Sequence, residues 1–99
     1  RHERARAQGG GGQMILHIQN EKGLHARASA KFVAVVEDYD AEAIVRRDGM
    51  HAAGDSIMGL LMLAASKGTS IEVECTGPEA EPLAEALEKL VNDLFGEGR

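Results

Sequence analysis

One histidine lies where a predicted strand gives way to a predicted helix, in the segment Gly23-Leu24-His25-Ala26-Arg27-Ala28. A helix start offers unpaired backbone N–H groups and a positive dipole end, so an anion attached to His25 would be stabilised there. The guanidinium of Arg27, two residues later, could donate to the same anion. Imidazole is a nucleophile near neutral pH, and its bond to phosphorus stays labile. The segment therefore suits reversible phosphoryl capture, although the spacing also fits a histidine that only caps the helix or faces solvent.

A second segment, Asp55-Ser56-Ile57-Met58-Gly59-Leu60-Leu61-Met62, predicts a short apolar helix capped by Asp55 or Ser56. Such a helix cannot bury every apolar side chain in a small two-layer fold, so part of it should face solvent. Exposed Ile and Met side chains would form an adaptable docking patch. Ser56 is a candidate phosphorylation site, because added negative charge suits a helix start and would disrupt an apolar docking surface.

Charge and composition argue against several other classes of protein. The formal net charge is −5 and the aromatic residues are only Phe32, Tyr39 and Phe95. An acidic chain repels phosphate backbones, and few aromatic rings offer little base stacking, so we expect no nucleic acid binding. The histidines show no metal-ligand spacing and no glycine-rich cofactor motif is present, so we expect neither a metal nor a cofactor.

The cysteine content and the apolar runs bear on location. Cys75 is the single cysteine, so no intramolecular disulfide is possible and its expected role is packing. The longest apolar run, residues 57–65, has about half the length that a membrane-spanning helix needs. The charged residues Arg1-His2-Glu3-Arg4 are followed by no apolar segment of the kind that a secretory signal requires. We therefore expect a cytoplasmic protein without membrane insertion. We also expect a monomer, since small proteins that dock transiently with several partners are usually monomers.

The chain of 99 residues has the size of one domain. Residues 1–13 end in four consecutive glycines and show no apolar periodicity, which predicts a disordered N-terminal extension or an expression remnant. The domain itself is predicted over residues 14–99. If its strand ends cluster, five basic residues should form a basic rim on an otherwise acidic body: Lys22, Arg27, Lys31, Arg46 and Arg47.

Hydrophobic periodicity predicts seven elements in the order β-α-β-β-α-β-α. Period-two alternation predicts strands over residues 14–20, 41–47, 50–53 and 70–75. Spacings of three and four predict helices over residues 26–38 and 56–63, with Gly68 marking the end of the second, and a last helix along the stripe Leu83, Leu87, Leu90, Val91 and Leu94. Asp48-Gly49 predicts a type I′ hairpin turn. Strands and helices with one apolar face each favour an open, two-layer α+β sandwich.

Together, these segments resemble the HPr family, the histidine-containing phosphocarrier proteins of the phosphoenolpyruvate-dependent phosphotransferase system. The His25 segment is similar to the family's active-site loop, and Ser56-Ile57-Met58-Gly59-Leu60 is similar to its regulatory serine segment. The resemblance covers residues 14 to about 95. It includes four further segments at turns: Asp38-Tyr39-Asp40-Ala41, Asp48-Gly49, Lys67-Gly68-Thr69 and Thr76-Gly77.

The resemblance implies a four-stranded antiparallel sheet covered on one side by three helices. It implies that the protein is a phosphoryl carrier rather than an enzyme. His25 would accept a phosphoryl group on Nδ1 from phosphorylated Enzyme I and pass it to an EIIA-type protein, and Arg27 would assist at the phosphoryl group. Ser56 would correspond to the serine that HPr kinase/phosphorylase modifies. Docking is expected at Leu24, Ile57, Met58 and Leu61.

Two segments depart from the family pattern. The chain has Ala28-Ser29 where many members have Pro-Ala, which should loosen the helix start and slow transfer. Gly54 and Asp55 stand where many relatives have other residues, often a basic one just before the serine. Asp55 should weaken recognition by the kinase or repel a phosphate on Ser56. An alternative function is a regulatory binding module that acts mainly through Ser56 phosphorylation and docking, and a third is a small-ligand-binding α+β domain.

Overall fold

Four strands with alternating burial form an antiparallel sheet in the computed structural model, which describes residues 12–99. The strands are β1 (Gly12–His17), β2 (Glu42–Arg47), β3 (Met50–Ala53) and β4 (Ser70–Thr76). Their order across the sheet is β1-β4-β2-β3, and all neighbours pair antiparallel. In β4 the buried residues alternate with more exposed ones, and Ile71, Val73 and Cys75 point into the core. This pattern confirms the predicted half-buried strand.

Three helices cover one face of the sheet: α1 (Ala26–Glu37), α2 (Ile57–Met62) and α3 (Ala80–Asn92). α3 packs on β1 and β4, α2 packs on β3, and α1 contacts both other helices. The core between the layers contains Phe32 of α1, Val45 and Val73 of the sheet, and Leu87 of α3, all fully buried. The architecture is the predicted two-layer α+β sandwich.

The hairpin between β2 and β3 confirms the predicted turn type. Asp48 and Gly49 both have positive φ, 51° and 80°, as a type I′ turn requires at its two central positions. Arg47 pairs directly with Met50 across the turn.

The predicted bounds of three elements are wrong by more than one residue. β1 begins at Gly12 rather than Met14, because backbone pairing with β4 continues to the Gly12 and Cys75 pair regardless of side-chain pattern, and it ends at His17 rather than Asn20. Gly12 and Gln13 therefore belong to the domain, whereas the rest of the predicted extension lies outside the described residues. α2 ends at Met62 and not near Gly68, because Ala64 adopts a left-handed φ of 54°.

The third correction concerns the end of α3. The helix stops at Asn92, and Leu94 and Phe95 both have left-handed backbones in a short 3-10 turn (Leu94–Gly96). The reversal places Phe95, rather than the predicted Leu94, fully in the core. It also directs the last residues back across the molecule, where Lys31 donates to the carbonyl of Phe95 at 2.7 Å.

Replacing Ser56 with alanine should reduce the free energy of unfolding by about 1 kcal/mol. Ser56 is the N-cap of α2, and its Oγ accepts a hydrogen bond from the backbone N–H of Gly59 at 3.0 Å. In a domain of this size, that loss corresponds to a fall in Tm of about 4–8 °C. Thermal unfolding measures it, with Ser66→Ala as the matched control, since Ser66 is exposed and should change stability by less than about 0.5 kcal/mol. Equal losses in the two variants would contradict the capping role.

Candidate functional site

His25 occupies the N-cap position of α1, at the junction between a loop and a helix. The loop is held by backbone hydrogen bonds, including one of 2.8 Å from the N–H of Leu24 to the carbonyl of Ala65. Inside the first turn, buried Ser29 donates to the carbonyl of Leu24 at 3.2 Å. The junction is therefore tied to the core on both sides, while the side chain of His25 remains 26% exposed.

The start of α1 is open to an anion. The side chain of His25 makes no capping hydrogen bond, and the first turn contains no acidic residue. The first N–H groups of a helix have no partner within the helix, and the dipole places partial positive charge there. A negatively charged group on or beside His25 would be stabilised by this end of the helix.

A cavity of about 390 Å³ adjoins His25 and is lined by both basic and acidic residues. Its four cationic side chains come from the loop, from α1 and from the chain terminus: Lys22, Arg27, Lys31 and Arg99. Glu21 and Glu97 are its acidic members. Arg27 is exposed at the second position of α1, where its guanidinium can reach a group in the cavity. The cavity can hold a phosphoryl group.

Glu97 contacts His25 directly, and the sequence did not predict it. One carboxylate oxygen of Glu97, Oε2, hydrogen-bonds with Nε2 of His25, and the other, Oε1, accepts from Nδ2 of buried Asn20 at 3.0 Å. No spacing pattern marks Glu97, which lies between two glycines near the end of the chain; the only signal was an acidic residue close to the terminus. It reaches His25 because of the reversal at Leu94 and Phe95.

The pKa of Glu97 is set by opposing effects. Burial raises the pKa of this carboxyl, but the hydrogen bonds from Asn20 and His25 and the electrostatic effect of His25 and Lys22 together lower it below its ordinary value of 4.5. Glu97 is therefore ionised at neutral pH.

The lowered pKa of Glu97 predicts an acid-dependent contribution to stability. A carboxyl whose pKa is lower in the folded state stabilises the fold above its unfolded pKa, and this contribution is lost as pH falls through the folded pKa, below 4.5. Urea unfolding of the native chain and of Glu97→Gln should therefore give stability curves that converge at acid pH. The exposed Glu88→Gln variant serves as a control without this convergence. A difference between native chain and Glu97→Gln that persists unchanged below the folded pKa would contradict the assignment.

The predicted docking residues separate into two groups. Ile57 and Met58 are exposed and Leu61 is half-buried, so these three lie on the surface of α2. Leu24 is only 4% exposed and belongs to the hydrophobic core, which removes it from any docking surface in this state. Met62, which the prediction omitted, is 73% exposed. The apolar face of α2 is therefore formed by Ile57, Met58, Leu61 and Met62.

The predicted basic rim divides into two parts. Lys22, Arg27 and Lys31 line the cavity beside His25. Arg46 instead pairs with Glu74 at 2.9 Å, and Arg47 donates to the carbonyl of Leu63 at 3.0 Å. These contacts hold Arg46 against β4 and Arg47 at the end of α2, so the two arginines line a different cavity.

The two other described histidines lie away from the cavity. His17 Nδ1 is 2.8 Å from the hydroxyl of Ser70 at the exposed end of β1, and His51 is exposed on β3. Within residues 12–99, no cluster of three or more histidine, cysteine or acidic side chains is arranged to hold a metal ion. Cys75 is buried, and burial together with the charge of Glu74 raises the pKa of its thiol to about 11.

No helix among the described residues combines the length and the apolar character needed to cross a membrane.

Comparison with known proteins relates this geometry to a family. The family model described as the PTS HPr component phosphorylation site matches residues 13–93. The phosphocarrier protein HPr of Neisseria meningitidis serogroup A is 46% identical over 83 residues, which cover 84% of this chain and 93% of the relative. The phosphocarrier protein NPr of Escherichia coli is 41% identical over 86 residues, covering 86% and 96%.

Solved structures give the same relationship. The crystal structure of HPr from Thermoanaerobacter tengcongensis superposes with a TM-score of 0.83 at 31% identity, covering 87% of this chain and 97% of that one. The chain belongs to the HPr family of the phosphotransferase system, whose members are phosphocarrier proteins rather than enzymes.

Proposed function

We propose that His25 is the residue that carries the phosphoryl group, which it accepts from phosphorylated Enzyme I and passes to a histidine of an EIIA-type protein. The observation that carries this proposal is the half-buried imidazole at the open N-terminus of α1, beside a cavity lined by four basic side chains. Backbone N–H groups, the helix dipole and these cations all favour a dianionic group at this position.

The transfer step requires no cofactor. The lone pair of Nδ1 attacks phosphorus, and the phosphorus–nitrogen bond of the donor breaks with its electron pair returning to the donor nitrogen. The same step, run with this chain as donor, hands the group to the next protein. Arg27 donates to the phosphoryl oxygens and keeps them in place while the nitrogen partners exchange.

The apolar face of α2 is the proposed docking surface for both partners. Ile57, Met58 and Met62 are among the large apolar side chains of the described residues that face solvent, and thioethers repack readily against different partners. The proposed phosphoryl source, phosphoenolpyruvate, is a cytoplasmic metabolite, so the proposal includes a cytoplasmic location. We also propose that the chain acts as a monomer, because it exchanges partners in succession.

Ser56 is a proposed regulatory site at the edge of that surface. Its side chain is partly exposed, and HPr kinase/phosphorylase is the proposed modifying enzyme. A phosphate on Ser56 would suit the helix start but would place charge beside Ile57, which would weaken docking.

The experiment that tests the carrier function is intact-mass analysis after incubation with phosphoenolpyruvate and Enzyme I. One adduct of the mass of a phosphoryl group is expected, and it should disappear after acid treatment because phosphohistidine is acid-labile. The adduct should also be lost when an EIIA-type protein is added. No adduct with an Enzyme I that phosphorylates a known HPr would overturn the proposal, and an acid-stable adduct formed from ATP alone would favour the Ser56 function instead.

A further inference from the structure

A chain of hydrogen bonds fixes the orientation of the Glu97 carboxylate. Nδ2 of Asn20 donates to the carbonyl of Gly23 at 2.8 Å and to Oε1 of Glu97 at 3.0 Å. Both partners are acceptors, so the amide of Asn20 can take only this orientation, with its nitrogen toward them. Asn20 is fully buried, which prevents it from turning toward solvent. The second oxygen of Glu97, Oε2, is thereby directed at His25.

The contact between Glu97 and His25 determines which nitrogen of the ring carries the proton. An ionised carboxylate only accepts hydrogen bonds, so the Nε2 that it contacts must be the donor. In a neutral imidazole only one nitrogen is protonated, and the other keeps its lone pair. With the proton on Nε2, the lone pair is on Nδ1.

We propose that Glu97, oriented by Asn20, is a positioning residue that holds His25 in the Nε2–H tautomer and so presents Nδ1 as the nucleophile. This inference rests on the proposed function and explains why Nδ1, rather than Nε2, is the ring nitrogen that attacks phosphorus. In serine proteases, a carboxylate holds the catalytic histidine in the correct tautomer by accepting a hydrogen bond from the ring nitrogen that does not react. Loss of that tautomer there lowers the rate by orders of magnitude.

The same contact stabilises the phosphorylated ring. When Nδ1 attacks phosphorus and Nε2 keeps its proton, the ring becomes positively charged, and the carboxylate of Glu97 lies against that charge. The carboxylate also repels the phosphoryl group, which carries up to two negative charges but lies across the ring, about twice as far from Glu97 as Nε2, so the Coulomb repulsion is at most about as large as the attraction. The cations of the cavity offset the remaining repulsion. Attraction to the ring therefore dominates.

Glu97→Gln is a sharp test because it should reverse the tautomer. The variant is nearly the same size as the native residue but has one oxygen and one NH₂ group. Asn20 Nδ2 needs an acceptor, so the oxygen of the new amide should remain beside Asn20 and its NH₂ group should face His25. That NH₂ would donate to Nε2, move the ring proton to Nδ1 and remove the nucleophilic lone pair. Glu97→Ala would leave a mixture of tautomers.

The experiment measures tautomers in the unphosphorylated chain and phosphoryl acceptance separately. Nitrogen chemical shifts of ¹⁵N-labelled His25, recorded with the ring neutral, should show protonated Nε2 in the native chain, protonated Nδ1 in Glu97→Gln and averaged shifts in Glu97→Ala. Initial rates of acceptance from Enzyme I should fall at least about tenfold in Glu97→Gln and less in Glu97→Ala. Glu88→Gln, an exposed change on α3, should match the native chain.

Native-like shifts and rates in Glu97→Gln would overturn the inference, as would a larger loss in Glu97→Ala than in Glu97→Gln. The tautomer measurement requires no partner protein, so it decides the positioning role even if the native chain accepts no phosphoryl group. Failure of acceptance by the native chain would instead overturn the proposed function.

Discussion

Replacing His25 with alanine is expected to abolish phosphoryl acceptance from Enzyme I. The proposed transfer needs a nitrogen lone pair at the start of α1, and no other residue lining the adjoining cavity has an imidazole. The basic side chains of the cavity are ammonium and guanidinium groups, which donate hydrogen bonds and offer no free lone pair. The loss should therefore be complete, with no adduct by intact mass even at long incubation times.

A matched control separates this effect from a loss of fold or of histidine content. His17→Ala removes an exposed histidine at the end of β1 and should leave acceptance at the native rate. His25 makes no capping hydrogen bond, so the alanine variant should keep the native circular dichroism spectrum. An acid-labile adduct on the folded His25→Ala variant would show that another residue carries the group.

Replacing Gly23 with alanine is expected to cause a large loss of stability and to displace the His25 loop. Gly23 has a left-handed φ of 65°, and a Cβ there would lie 2.5 Å from the carbonyl oxygen of Ala65 and 2.8 Å from Cα of Ser66. Left-handed backbone alone costs an L-residue about 1–2 kcal/mol. Because the clashing atoms are backbone, the loop must move as well, so we expect a total loss of at least about 2 kcal/mol in urea unfolding.

Gly49→Ala isolates the backbone part of that loss. Gly49 has a φ of 80°, but a Cβ there would meet no atom within 4 Å. The variant should therefore show the conformational cost without the clash, and it should keep the native rate of phosphoryl acceptance. Gly23→Ala should accept more slowly, because Gly23 also accepts the hydrogen bond that orients Asn20. Equal losses of stability in the two variants would contradict the close approach of the loop to Ala65.

The fold could be predicted because the strands and helices that build its core each bury one face and expose the other. β4 alternates over its whole length, and the residues Leu83, Leu87 and Val91 form the buried stripe of α3. Periodicity reports which side of an element meets the core, so it also located Ser56 at the start of α2 and His25 at the start of α1.

Where prediction failed, the cause was backbone conformation or tertiary contact. Ala64, Leu94 and Phe95 adopt left-handed φ values that their residue types disfavour, so their identities do not indicate these turns. Leu24 was predicted as a docking residue, but its N–H donates to the carbonyl of Ala65 and its side chain is buried in the core. Neither effect leaves a pattern in the sequence.

The candidate site was predicted in part for the same reason. His25 and Arg27 are neighbours in sequence, so their common position at a helix start follows from local structure. Glu97 is far from His25 along the chain and reaches it only through the reversal after α3. A contact of this kind depends on the path of the whole chain, which single-sequence periodicity does not describe.

The most direct test of the account is to identify the atom that carries the phosphoryl group. The chain, labelled with ¹⁵N-histidine, is incubated with phosphoenolpyruvate and Enzyme I, and ¹⁵N–³¹P coupling is then measured in the adduct. Coupling is expected to Nδ1 of His25 and to no other ring nitrogen, and loss of the signal in His25→Ala confirms the assignment. Coupling to a nitrogen of another histidine, or a phosphoryl group on Ser56 under these conditions, would contradict it.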